Sequence, residues 1–185
     1  MPQWKPFMLI GLSVGLFCVH AGRSQETSSP RSQRTMATER PKLAFLVGRF
    51  AASSRVPPPP SKTTGMTGKG TSAISWTLDS MFLSIDDKSS LFGHYEAHGM
   101  LGFNQQSGHF ELTMFNNFGD RPTYNGDFSG DTLVLQAKIP SPRGSFDQKI
   151  LWYKEGGGVS MKILNDYGKG YATVIEQTAT PEGPR

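Results

Sequence analysis

Between Leu91 and Phe118 the chain alternates in a way that only an extended backbone can use. Tyr95, Ala97, Gly99, Leu101 and Phe103 interleave with Phe92, His94, Glu96, His98 and Met100, a period of two that places one set on each face of a strand. Asn104-Gln105-Gln106-Ser107-Gly108 follows, made of residue types that close tight turns. Phe110, Leu112 and Met114 then share one face of a returning strand. Apolar side chains stack if Phe103 lies opposite Phe110, Leu101 opposite Leu112 and Gly99 opposite Met114, whereas a one-residue slip sets Glu111 against Leu101. The pattern therefore predicts a long antiparallel hairpin in that register.

The same rhythm extends over most of the chain. Leu43 to Phe50 reads as a helical turn entering a first strand, and further strands are predicted at Gly68 to Leu78, Met81 to Asp86, Thr123 to Phe128, Leu133 to Ile139, Phe146 to Glu155, Val159 to Asp166 and Tyr171 to Thr178. On the second strand Ser72, Ile74, Trp76 and Leu78 share a face, and Asp86-Asp87-Lys88-Ser89-Ser90 reads as a turn. Pro57 to Pro60 lacks amide donors and belongs in an exposed loop. Among 185 residues, 21 glycines and 13 prolines leave little room for helix. The expectation is an all-β domain of about ten antiparallel strands, a barrel or a sandwich.

The N-terminal stretch from Phe7 to Val19 is uncharged and apolar, follows Lys5, and leads into Val19-His20-Ala21. That is the pattern of a secretory signal peptide cut near Ala21, and the run is shorter than the ~20 residues of a spanning helix. Phe17 stands where lipid attachment to Cys18 would need a small residue. Cys18 is the single cysteine, so after cleavage disulfides, thiolate catalysis and cysteine-bound metals are excluded. The expected organisation is a signal peptide at 1–21, a flexible linker at 22–40, a β-barrel domain at 41–180 and a short tail at 181–185. The net charge of +4 does not mark a nucleic-acid surface, because 13 basic residues from Leu43 onward meet 13 acidic ones. The excess lies in the linker. An exported protein, periplasmic or extracellular, without a membrane span after cleavage and without a nucleic-acid partner, is expected.

Leu46-Val47-Gly48-Arg49-Phe50, Ser75-Trp76-Thr77-Leu78 with Phe82-Leu83, Gly99-Met100-Leu101-Gly102-Phe103-Asn104, and Gly126-Asp127-Phe128 before Leu133 together resemble bacterial exported proteins of domain of unknown function 1579. The resemblance runs from about Leu43 to the last strand and implies a lipocalin- or calycin-like barrel. It departs from the family pattern at Phe50, Phe103, Asn104 and Met114, and it brings no catalytic residues.

Chemistry-bearing clusters are few. His94, Glu96 and His98 share a strand face, but four residues of rise separate the two histidines by roughly 13 Å, too far for one zinc ion. No histidine follows His109, which leaves Tyr153, Met161, Tyr167 and Tyr171 as the only conceivable axial ligands for haem near the C-terminal strands. Asp86, Asp87, Asp127 and Asp131 are read as turn residues, and Glu176, in the last strand, is the lone carboxylate that an enzyme reading would need to face inward. Nucleophile elbows, phosphate-binding loops and nucleotide fingerprints are absent, and no cofactor is implied. What remains is apolar lining. Trp76, Tyr95, Leu101, Phe103, Met114, Trp152 and Met161 fall on the faces assigned inward and form the candidate ligand-binding set, alongside Leu112, Ile150 and Ile163. The leading expectation is a binding module for a small hydrophobic or amphipathic molecule. The alternatives are an envelope interaction protein with a filled core, and a cofactor-free enzyme that uses Glu176 or an inward tyrosine on a hydrophobic substrate.

Overall fold

The structure is a computed structural model that describes residues 34–58, 64–142 and 144–183. The predicted signal peptide, the linker up to residue 33, the second half of the Pro57 to Pro60 run and the last two residues lie outside the described residues. A helix α1 (Met36–Leu43) and a 3-10 turn (Ala44–Leu46) lead into ten strands. These are β1 (Gly48–Val56), β2 (Met66–Thr77), β3 (Phe82–Ser89), β4 (Tyr95–Asn104), β5 (His109–Asn116), β6 (Thr123–Ser129), β7 (Thr132–Ser141), β8 (Gly144–Glu155), β9 (Gly158–Asp166) and β10 (Ala172–Pro181). Every strand pairs with its sequence neighbour, and β1 pairs with both β2 and β10, so the sheet is a closed antiparallel barrel.

The β4–β5 hairpin has the register its apolar pattern requires: Phe103 opposite Phe110, Leu101 opposite Leu112, Gly99 opposite Met114. At that last pair glycine is needed for space, since a Cβ on Gly99 would stand 2.3 Å from Met114 Sδ. The methionine therefore fills the place a side chain at residue 99 would occupy.

Three expectations about element limits are corrected. The linker was expected to run to residue 40, but the fold includes Arg34 and α1. Thr35 caps the helix and exchanges hydrogen bonds with Thr38, while Met36, Leu43 and Leu46 are almost fully buried. Met36 stands alone among polar residues, so no local periodicity announces the helix; its burial is supplied by the barrel. The second correction is at Asp86 to Ser90. Asp86 to Ser89 continue β3 rather than turning, and the turn comes at Leu91 to His94, so the hairpin proper begins at Tyr95. Polar residues there imitate turn chemistry, but cross-strand pairing with β2 and β4 carries the strand through them. Finally, Leu78 leaves the face shared by Ser72, Ile74 and Trp76 and sits exposed in the β2–β3 turn with φ 48°.

An up-and-down barrel sends alternate connections to opposite rims. The β2–β3, β4–β5, β6–β7 and β8–β9 turns share one end, and α1 lies against that end. There Arg34 Nη1 donates to the Gly108 carbonyl at 3.0 Å, Nε to Glu39 Oε1 at 2.9 Å and Nη2 to Asp127 Oδ1 at 2.6 Å. Lys42 Nζ donates to Glu39 Oε2 at 2.7 Å. The Arg34 guanidinium lies 4.8 Å from the centre of the Phe103 ring, and Phe103, Phe110 and Phe128 pack edge to face behind it, with ring centres 5.3 and 5.6 Å apart. This end is filled.

Glu39 is the buried member of the charged cluster, and the Arg34 hydrogen bonds hold its carboxyl below the ordinary value of 4.5 against the opposing effect of burial. A carboxyl with a lowered pKa in the fold stabilises it above the unfolded pKa and loses that contribution as pH falls through the folded one. Glu39→Gln is therefore expected to lower the melting temperature at pH 7. The gap from the parent should shrink as pH falls below 4.5. Calorimetry of both proteins across that range checks it, and a gap independent of pH would refute the role given to the charge.

Candidate functional site: a half-hollow barrel

Beyond the filled end the barrel is open. A cavity of about 780 Å³ extends from Trp152 and Met161 to the opposite rim, where Leu91, Phe92 and Gly119 to Pro122 border its mouth. Up-and-down topology explains which residues reach it. Strands β2 and β4 run from the open rim toward the filled end, so inward residues early in β4 line the cavity and later ones belong to its floor. Tyr95 accordingly lines the cavity, as do Met114, Trp152 and Met161. Leu101 and Phe103 are buried in the floor at 0% and 7% exposure, and Trp76, late in β2, packs against the core outside the cavity. Four of the seven candidate lining residues are thus brought together, and three are not.

The cavity wall is not uniformly apolar. On one side the Tyr124 hydroxyl donates to Gln148 Oε1, Gln148 Nε2 donates to Asn165 Oδ1 at 2.8 Å, and Asn165 Nδ2 donates to the Tyr167 hydroxyl at 3.0 Å. Gln148 lies opposite Ala137 in β7 and Asn165 in β9, and the small Ala137 leaves room for Tyr124 to reach across. On the other side Ser54 Oγ donates to Gln177 Oε1 at 3.1 Å. These contacts tie the polar groups of that wall to one another, so each has at least one partner within the protein.

Asp87 is different. It continues the inward series Leu83, Ile85 along β3, facing Ser72 on β2 and Ala97 on β4 in the register. Its Oδ1 is enclosed and has no hydrogen-bond partner, a condition that costs about 1–3 kcal/mol for a typical acceptor. Burial raises the Asp87 carboxyl above the usual carboxylate range, the Ser72 hydroxyl pulls it down in part, and Asp86 adds to the rise. Tyr95 is pushed up to about 12, chiefly by burial and further by Asp87 and Asp120. Tyr124 is raised as well, again chiefly by burial. Both phenols remain protonated at neutral pH and act as donors.

The carboxylate that the enzyme alternative would need inside is on the outside. Glu176 accepts from Arg55 Nε at 3.1 Å on the barrel surface, because the register shift between Thr173 and Ile175 turns Ile175 and Gln177 inward instead. His94 and His98 face solvent on separate acids: His94 Nε2 is 3.6 Å from Glu96 Oε1, and His98 Nδ1 is 2.8 Å from Asp86 Oδ1. His109 is half exposed and pairs with Asp127 Oδ2 at 2.6 Å. Among the described residues no group of three or more His, Cys, Asp or Glu is placed to hold a metal ion. Of the conceivable haem ligands, Met161 faces the cavity, whereas Tyr167 is 68% exposed against the Phe146 ring and Tyr171 lies under Lys149.

Asp87, Tyr124, Gln148 and Gln177 are among the lining residues that reading the sequence missed. Asp87 had a usable signal, because the alternation Leu83, Ile85 continues to it two residues further on. Tyr124, Gln148 and Gln177 had none beyond strand parity.

No protein-family model matches the chain, and no curated protein matches it. Among solved structures it is similar to Rv2717c from M. tuberculosis, with a TM-score of 0.55, 14% sequence identity, and coverage of 77% of this chain and 98% of that one. At that identity the likeness bears on the fold, a related barrel.

The two inward phenols can be counted. In a spectrophotometric titration of the chain's five tyrosines, Tyr95 is expected to resist ionisation until about pH 12 and Tyr124 to resist well beyond the ordinary tyrosine range, unless the barrel unfolds first, and Tyr95→Phe and Tyr124→Phe should each remove one late-titrating group. Uniform titration of all five near the ordinary tyrosine value would contradict the enclosed placement.

Proposed function

We propose that the protein is an exported binding module that holds a small hydrophobic or amphipathic molecule inside its barrel; the resemblance to domain of unknown function 1579 implies the barrel and the export, and the ligand is inferred from the interior. The observation that carries this reading is the cavity. Its volume of about 780 Å³ lies within the roughly 300–1,000 Å³ of small-molecule sites, and one end is sealed by α1 while the other opens at the rim. A binding site needs concave apolar surface that water wets poorly, and Leu112, Ile150, Trp152, Met161 and Ile163 supply it. An interaction protein working through its surface alone would gain nothing from such a space, and cavities weaken a fold by the contacts their linings lose.

The neutral fluorophore N-phenyl-1-naphthylamine is expected to enter with saturable, one-to-one enhancement of its emission. Ile163→Trp, which fills the space from its wall, should abolish uptake while leaving the melting temperature within a few degrees of the parent. Absence of saturable uptake by the parent, or undiminished uptake by the folded Ile163→Trp protein, would overturn the reading.

A further inference from the structure

Asp87 Oδ1 is the one enclosed side-chain polar atom without a hydrogen-bond partner among the described residues, and Asp87 lines the cavity. Resting on the binding-module reading above, we propose that Asp87 is the recognition point for a protonated amine on an amphipathic ligand whose apolar part lies against Ile150, Trp152, Met161 and Ile163.

Burial favours the protonated form of the Asp87 carboxyl in the empty barrel, and a cation beside it, from the protein or from a ligand, is what would hold it ionised. Among the described residues no cation of the protein pairs with it. Lys88, the next residue, points to the opposite face and donates to Glu96 Oε1 at 3.0 Å. Lys138 is 3.7 Å from Asp147 Oδ1, and Arg121 borders the mouth beside Asp120. Nor do the neighbouring walls complete the site. Facing Asp87 are the Ser72 hydroxyl from β2, the Ala97 methyl from β4 and, at the next inward position of β4, the Tyr95 phenol. Asp87 and Asp120 both lie close enough to Tyr95 to raise its phenol, and an ionised Asp87 repels an anionic headgroup. An alcohol would satisfy the acceptor but would not hold the carboxyl ionised. An ammonium group does both through a charge-assisted hydrogen bond, and the Tyr95 ring offers it an aromatic neighbour. The apolar lining from Ile150, Trp152, Met161 and Ile163 then favours a ligand with a hydrocarbon body behind its amine.

The test uses one chain length and three headgroups. Decylammonium, decanol and decanoate are each titrated against N-phenyl-1-naphthylamine bound to the full chain at pH 7, with the parent and with Asp87→Asn. In the parent, decylammonium is expected to compete about tenfold or more better than decanol, with decanoate weakest. In Asp87→Asn the advantage of decylammonium should vanish while decanol competes as before. Asparagine keeps the volume and cannot ionise, so the variant should fold with a melting temperature near the parent's. A flat headgroup series, a preference for decanoate, or an amine preference that survives in Asp87→Asn would each overturn the assignment of Asp87 while leaving the binding module standing. Failure of the fluorophore itself to bind would instead remove the binding reading and this inference together.

Discussion

Strand β1 is hydrogen-bonded on both sides, to β2 from Gly48 to Val56 and to β10 from Phe50 to Arg55, and the remainder of the molecule depends on that double pairing. It closes the sheet, so no strand edge is left to recruit another chain. It also gives every strand a distinct inner and outer face, which is why an alternation as simple as Tyr95-Ala97-Gly99-Leu101-Phe103 sorts side chains between interior and solvent. The closest approaches between walls are made by residues without side chains: at Gly70 and Gly126 a Cβ would fall 1.9 Å from a backbone carbonyl oxygen of the adjacent strand.

Closure alone leaves a wide interior. About eight strands make a barrel that side chains can fill, and ten make a wider one. This protein fills half of it. The edge-to-face stack of Phe103, Phe110 and Phe128, with Met36, Leu43 and Leu46 brought in by the N-terminal helix, occupies one end. The Arg34 fork to Glu39, Asp127 and the Gly108 carbonyl pins that helix across the β4–β5 and β6–β7 hairpins. The Asp127 carboxyl bears the cost of partial burial, yet Arg34 and His109 hold it below its ordinary value. With one end so occupied, the hollow is displaced to the other.

The hollow carries the functional argument because its polar groups are unequal. Tyr124, Gln148 and Asn165 are linked in a chain, and Ser54 and Gln177 satisfy each other. Asp87 stands apart from both sets with an enclosed oxygen unmet. A cavity with a mostly satisfied lining and one unsatisfied acceptor is apolar in bulk and selective at a point, the combination by which concave sites fix the orientation of a small molecule.

The sequence by itself determined an all-β chain of about ten strands and the register of the central hairpin, because period two and turn chemistry are local and a slip would have set Glu111 against Leu101; the closed up-and-down order came from the strand pairing. It also placed Tyr95, Met114, Trp152 and Met161 on inward faces, since parity along a strand suffices for that. Only the tertiary structure decided which inward residues meet empty space. Leu101 and Phe103 share the parity of Tyr95 yet lie in the floor, because distance along the barrel axis, set by the N-terminal helix, separates floor from cavity. The same is true of Asp87 and Glu176. Asp87 sits among residues that read as a turn until pairing with β2 and β4 extends the strand through it, and Glu176 is turned outward by a register shift against β9. Local composition encodes neither event, since each is settled by which neighbouring strand satisfies the backbone hydrogen bonds.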